Sequence, residues 1–199
     1  MELKIFQEII KNKNKKIEFS VITNLETGNS KIFLVGEPID EYFFKYEKKI
    51  QFFCRNKING IIENTNIFIQ TFTNPVKVII VGAVHIAQYI IEFTKYLNFE
   101  IILIDPRKFF ATEERFPKIK VVNKWPEEAF KEIITDSNTA LISLTHNPKI
   151  DDPALIHALK KNFYYIGALG SQNTHSDRCE RLKNFGFNEN EINSIHGPI

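Results

Sequence analysis

In the stretch KVIIVGAVHIAQYI, residues 77–90, four apolar residues run into Gly82, and a short turn leads into a pattern of helical period. A continuously apolar strand is one buried on both faces, which a sheet covered by helices provides. Gly82 permits a tight strand-to-helix turn, and Ala87 is small enough for a helix to pack close on a strand. The alternation then repeats. Strands are expected at 76–81, 100–104, 119–122, 139–144 and 163–166, and helices at 85–97, 126–134, 153–160 and 175–184. Such an order gives an α/β fold, a parallel sheet whose ligands lie at the carboxyl ends of the strands, near the point where strand order reverses.

Upstream of Asn74-Pro75 the pattern differs. Residues 2–12, ELKIFQEIIKN, read as an amphipathic helix; 16–24 and 31–35 read as strands joined through Glu26-Thr27-Gly28-Asn29, and 66–72 as a further strand. The expectation is a small α+β N-terminal domain, 1–74, ahead of a Rossmann-type domain, 75–199. The Lys-Asn run at 11–16 is a solvated helix end, where cations are favoured, and carries no function. Tyr42, Phe43, Phe44, Tyr46, Phe52 and Phe53 serve either core packing or a dimer seam.

With 199 residues, 43% of them hydrophobic, the chain has enough apolar surface to bury a core. Lys and Arg number 26 against 24 Asp and Glu, a net charge of +2 that is too balanced for a nucleic-acid or anionic-membrane surface. Neither nucleic acid nor membrane is an expected partner. There is no leader pattern and no apolar run of about 18 residues. Cys54 and Cys179 have no CxxC spacing and give no disulfide framework. A cytoplasmic protein is expected.

Three of the four parts of a dinucleotide fingerprint are present: Gly82, Ala87, and Asp105 ending the second strand 23 residues after Gly82. Val84 occupies the place where a second glycine normally lets the backbone approach a pyrophosphate. A branched side chain there crowds an ordinarily bound NAD, so the motif supports the fold more strongly than the cofactor. The other strand ends open onto the same face. They add Ala83 and His85 at the first turn, Arg107 and Arg115 after the second strand, Thr145 and His146 after the fourth, and Gly167, Gly170 and Ser171 after the fifth. The arginines offer bidentate geometry to phosphate. The 167–171 loop is either an anion-binding nest ahead of the last helix or a plain turn. His85 and His146 have no third ligand at a recognisable spacing, which favours hydrogen-bonding roles over a metal site. Asp152-Pro153 reads as an N-cap followed by proline at the first helical position. Cys179, three residues before Leu182, reads as a buried, inert thiol.

VGAVHIAQYI, IDPRKFFATEERFP, LTHNPKIDDPALIHAL, YYIGALGSQNTHSDRCERL and the terminal IHGPI, in that order and spacing, resemble the xanthine dehydrogenase accessory factor family, also called XdhC/CoxI, over 76–199. GAVHIA in place of GAGHVA looks like the variant of one branch. The resemblance implies a Rossmann-type C-terminal domain in a cofactor chaperone rather than a turnover enzyme. Such a protein binds molybdenum cofactor (molybdopterin, with its cytosine dinucleotide form among the candidates), shields it and delivers it to the apo-form of a xanthine or carbon monoxide dehydrogenase-type molybdenum hydroxylase. A sulfur-transfer protein is a further candidate partner, and a homodimer is the expected assembly. On this reading Gly82, Ala83, Val84 and His85 lie near the pyrophosphate and Asp105 holds ribose or pterin donors. Arg107 and Arg115 offset phosphate charge, and His146 with the 167–171 loop faces the oxo or sulfido ligands of molybdenum.

The chain departs from the family pattern twice. Nothing in 1–73 matches the Gly-Gly-Gly-Cys type segment of many members, and the chain stops at 199 where members continue with a Gly-rich GLDIGA-like stretch and a final helix. The domain is therefore expected to lack its final C-terminal segment. An NAD(P)-dependent oxidoreductase and a ligand-free docking or regulatory subunit are the alternatives. Against the first stand Val84 and the absence of a paired base and substrate-orienting constellation.

Overall fold

The computed structural model describes residues 3–15 and 17–199. Glu2 and Lys16, which open the expected first helix and first strand, lie outside them. The chain divides into two compact units, Met1–Asn74 and Pro75–Ile199.

The first unit holds α1 (Leu3–Asn14), β1 (Phe19–Asn24), β2 (Ser30–Phe33), α2 (Glu47–Arg55), β3 (Gly60–Ile61) and β4 (Ile67–Phe72). Its strands form an antiparallel sheet in the order β2-β1-β4-β3. Alternation along β1 sends Ile22 to one core with Phe33, Phe43, Ile50 and Ile69, and Phe19 and Val21 to another with Ile9 of α1. The aromatic group divides accordingly. Phe43 is buried with Tyr46 and Phe53 packed against its cluster, whereas Tyr42, Phe44 and Phe52 are exposed.

The second unit runs β5 (Val76–Val81), α3 (His85–Thr94), β6 (Phe99–Ile104), β7 (Lys120–Val122), α4 (Pro126–Glu132), β8 (Thr139–Ser143), α5 (Pro148–Lys160), β9 (Tyr165–Ala168), α6 (Gln172–Asn184), α7 (Glu189–Asn193) and β10 (Ile195–His196). All six strands pair parallel, in the order β10-β9-β8-β5-β6-β7. The chain steps outward from β5 to β7 and then returns to the other side of β5 at β8. Strand order therefore reverses between β5 and β8, and a crevice forms outside their carboxyl ends. The protein is α/β, a Rossmann-type parallel sheet preceded by an antiparallel unit.

The apolar strand runs are explained by burial on both faces. Ile79, Val81, Ile102 and Ile104 face a core shared with Ala129 of α4, Leu155 of α5 and Leu182 of α6. Val78, Ile80 and Leu103 face the other, with Ala87 and Ile91 of α3 and Phe116. Each fully buried aliphatic side chain contributes about 2 kcal/mol of transfer free energy.

Local differences from expectation have local causes. The helix expected at 153–160 begins five residues earlier, at Pro148, with Asn147 Oδ1 accepting from the amide of Lys149 at 3.0 Å. Asp152 is therefore not an N-cap. Pro153 lies inside the helix, and Asp152 forms a bidentate pair with Arg181 on α6. The helix expected from 175 starts at Gln172, capped by Ser171. Neither α7 nor β10 has enough residues to show a period, although Asn188 and Glu191 form the capping box that opens α7.

Candidate functional site at the strand ends

The turn from β5 into α3 is built around Gly82. Its φ of 114° suits glycine, and a Cβ there would stand 2.7 Å from Cγ2 of Thr145 on the loop after β8. The two loops at the reversal point touch because no side chain separates them. Ala83 is held at both ends: its N–H donates to Asp105 Oδ2 at 2.7 Å, and its carbonyl accepts from Arg115 Nη1 at 3.1 Å. Val84 is extended (φ −82°, ψ 171°), a conformation open to any residue, and packs against the core on the α3 side. It is the N-cap of α3 yet makes no side-chain cap bond, and the first turn has no acidic residue. The leading amides and the positive end of the helix dipole thus have no side-chain cap where the sheet opens. By contrast, α5 and α6 are capped by Asn147 and Ser171.

Asp105 at the end of β6 is 0% exposed. Oδ1 accepts from the Arg107 amide and Nε, both at 2.9 Å, and Oδ2 accepts from Ala83 N–H and from Arg107 Nη2 at 2.7 Å. Burial alone would raise its pKa, but the bonds from Arg107 and Ala83 together hold it below the ordinary carboxylate value. The same pairing raises that of Arg107. Asp105 thus fixes the turn and the guanidinium. Arg107, with its side chain 36% exposed and stacked over Phe110 at 4.7 Å, is the group that solvent and solutes can reach. Arg115 also donates to Phe110 O, so it braces the same loops.

After β8, His146 adopts a left-handed φ of 59° and is exposed beside half-buried Thr145. Thr145 donates to Asp151 Oδ1 at 2.6 Å, and so does Ser143 at 2.7 Å. His85 meets Tyr89 Oη at 3.3 Å, one turn along α3. Gly167 lies inside β9, where a Cβ would stand 2.8 Å from the Tyr165 ring and 3.1 Å from Ile199, so it is a packing glycine within the strand. Gly170 and Ser171 form the loop into α6, and Ser171 Oγ accepts from the Thr174 amide at 3.2 Å.

Two residues not singled out from the sequence dominate the interior beneath these loops, Asp151 and Arg178. Arg178 is 1% exposed. Its Nη2 donates to Leu169 O at 2.8 Å, its Nη1 meets His175 Nδ1 at 3.1 Å, and its Nε has no partner among the described residues. Burial lowers its pKa, offset in part by Asp151 and Asp152. A guanidinium has no acceptor, so His175 Nδ1 accepts and the ring proton sits on Nε2, 3.6 Å from Cys179 Sγ. Cys179, midway along α6, is half-buried rather than fully buried, packed against the core and beside that ring. Among the described residues no group of three or more His, Cys, Asp and Glu is arranged to hold a metal ion, and no helix is long and apolar enough to cross a membrane.

Residues 78–199 match the model of the XdhC Rossmann domain family. The molybdenum cofactor insertion chaperone PaoD of Escherichia coli (strain K12) is 34% identical over 79 residues, which are 40% of this chain and 24% of that protein. A solved structure titled a xanthine dehydrogenase from Bacillus halodurans aligns with a TM-score of 0.70 at 18% identity, over 90% of this chain and 57% of that one. At that identity the likeness is one of fold. The chain spans about a quarter of the curated relative and just over half of the solved one.

Proposed function

This chain belongs to the XdhC Rossmann domain family, and we propose that it is an accessory protein that binds molybdenum cofactor as cargo and hands it to a molybdenum hydroxylase of the xanthine or carbon monoxide dehydrogenase type. The observation that carries the reading is the crevice at the β5–β8 reversal, where the uncapped amino end of α3 lies near an arginine locked in place by a buried carboxylate. Amide donors, a helix dipole and a fixed guanidinium suit an anionic, phosphate-bearing ligand. The name of the Escherichia coli relative, a cofactor insertion chaperone, supports the same class of cargo.

The residues divide the work. The α3 amides and Arg107 hold phosphate, a cytosine dinucleotide form of the cofactor presenting two such groups; Asp105 and Arg115 keep the turn rigid; His146 and the Gly170-Ser171 loop face the metal end of the cargo. The proposal places the protein in the cytoplasm as a homodimer, for which α3 offers an exposed apolar row of Ile86, Tyr89 and Phe93, continued by Tyr96 just past its end, with a sulfur-transfer protein as a further partner.

The test is mass spectrometry of ligand released from protein purified out of a host that makes molybdopterin cytosine dinucleotide, beside Arg107→Gln. A pterin nucleotide is expected from the native protein, and at least about tenfold less from the variant, the loss of one charge-assisted contact. An empty native protein that binds NAD(P)H in a fluorescence titration would overturn the proposal in favour of an oxidoreductase.

A further inference from the structure

The two buried carboxylates at the crevice are used in opposite ways. Asp105 is saturated, with both oxygens taking donors from Ala83 and Arg107. Asp151, only 3% exposed, is half used. Its Oδ1 accepts from Ser143 Oγ at 2.7 Å, Thr145 Oγ1 at 2.6 Å and the Thr145 amide at 3.3 Å, while Oδ2 accepts from no described residue. Oδ2 is thus the one edge of Asp151 that stays open to solvent, and it takes its donors from water or from a ligand.

The location narrows the choice. Asp151 sits in the first turn of α5 and reaches back to the end of β8, onto the residue whose methyl group abuts Gly82. That is the reversal point of the sheet. The nearby cations do not complete it: Arg107 is taken by Asp105, and Arg178 spends its Nη atoms on Leu169 and His175. Both guanidinium groups feel the charge of Asp151 without bonding to it. An acceptor fixed from behind by three donors, at strand ends that also present the α3 amides and Arg107, suits a ligand that is anionic at one end and carries an N–H donor at the other.

We propose that Asp151 Oδ2 recognises the exocyclic amino group of a 2-amino-4-oxopteridine, so that the donor-binding role expected of Asp105 belongs to Asp151. The inference rests on the reading that this crevice receives a pterin cofactor. Asparagine is the informative substitution. The three donors around Oδ1 retain the amide oxygen, which puts the NH2 group where Oδ2 was and turns an acceptor into a donor at one point.

The probes are a 6-substituted pterin and the matching lumazine, whose 2-oxo group replaces the amino group; binding is read by their own fluorescence. The native protein is expected to prefer the pterin at least about tenfold, because a site built for a donor rejects an acceptor in its place. Asp151→Asn, checked for cooperative unfolding, is expected to lose or reverse that preference. Asp105→Asn is expected to weaken both ligands in proportion and keep it. Equal binding of the two pteridines by the native protein, an unchanged preference in folded Asp151→Asn, or its abolition in folded Asp105→Asn would each overturn the assignment while leaving a pterin site in place. Binding of neither pteridine by any of the three would overturn the pterin reading and this inference with it.

Discussion

Gly82→Ala tests the geometry on which the crevice depends. An L-residue at φ 114° costs about 1–3 kcal/mol in backbone strain. The new Cβ would also stand 2.7 Å from Thr145 Cγ2, 3.3 Å from Thr145 N and 3.4 Å from Leu144 C, an overpacking cost of about 1–3 kcal/mol. The sum, about 2–6 kcal/mol, is a large fraction of the 5–15 kcal/mol that holds a typical domain together. Gly186→Ala separates the two parts, because Gly186 has a φ of 93° but nothing within 4 Å of its would-be Cβ. It is expected to show the strain alone, so the difference between the two variants is about 1–3 kcal/mol. Adding Thr145→Ser removes Cγ2 but keeps the hydroxyl that binds Asp151, and it is expected to recover about 1 kcal/mol beyond additivity. Urea unfolding followed by fluorescence of the single tryptophan, Trp125, reports on this unit. Equal losses in Gly82→Ala and Gly186→Ala, or strict additivity with Thr145→Ser, would refute the steric argument.

Ser171→Ala is expected to destabilise the same unit by about 1 kcal/mol through loss of the α6 cap, and Ser171→Asp to restore most of it; unchanged urea midpoints in both would show that the cap bond carries no weight. His157 and His175 both titrate below the ordinary histidine value, His157 through burial and the charge of Lys161, His175 through burial and the charge of Arg178. Their contribution is complete above the unfolded value of about 6.5 and is lost as pH falls through it, because the unfolded chain binds the proton first. The urea midpoint is therefore expected to drop between pH 7.5 and 5.5, and to drop less in His157→Gln/His175→Gln; an identical slope in that variant would refute the assignment.

Most of the scaffold was legible because it is written in short-range patterns. The apolar runs of β5, β6 and β8 announce burial on both faces, Gly82 announces the turn, and the spacing to Asp105 announces the second strand end. Each can be read within about 20 residues because strand and helix periods are local. One error was also local: at 147–153 two prolines and several capping residues compete, and the Asn147-Pro148 start prevailed, its cap bond made to the Lys149 amide, which leaves Asp152 inside the helix to pair with Arg181.

The chemistry of the crevice was less legible. Asp105 and Arg107 stood out at a strand end, but the spacing did not show that they satisfy each other, nor that Gly167 belongs to the interior of β9. Asp151 looks like any acid in the first turn of a helix, and Arg178 like any cation in the middle of one. What makes them notable is burial, one oxygen and one nitrogen left without partners, and charges that approach only when α5 and α6 pack on the same sheet face. By itself the sequence determined the parallel sheet and the turn that opens the crevice, since these follow from periodicity and from glycine's access to positive φ, whereas the order of the strands, and so the place of the reversal, came from the tertiary pairing. Which polar atoms are already spent and which remain for a ligand was decided by tertiary packing alone, because hydrogen-bond saturation is a property of neighbours brought together from distant parts of the chain.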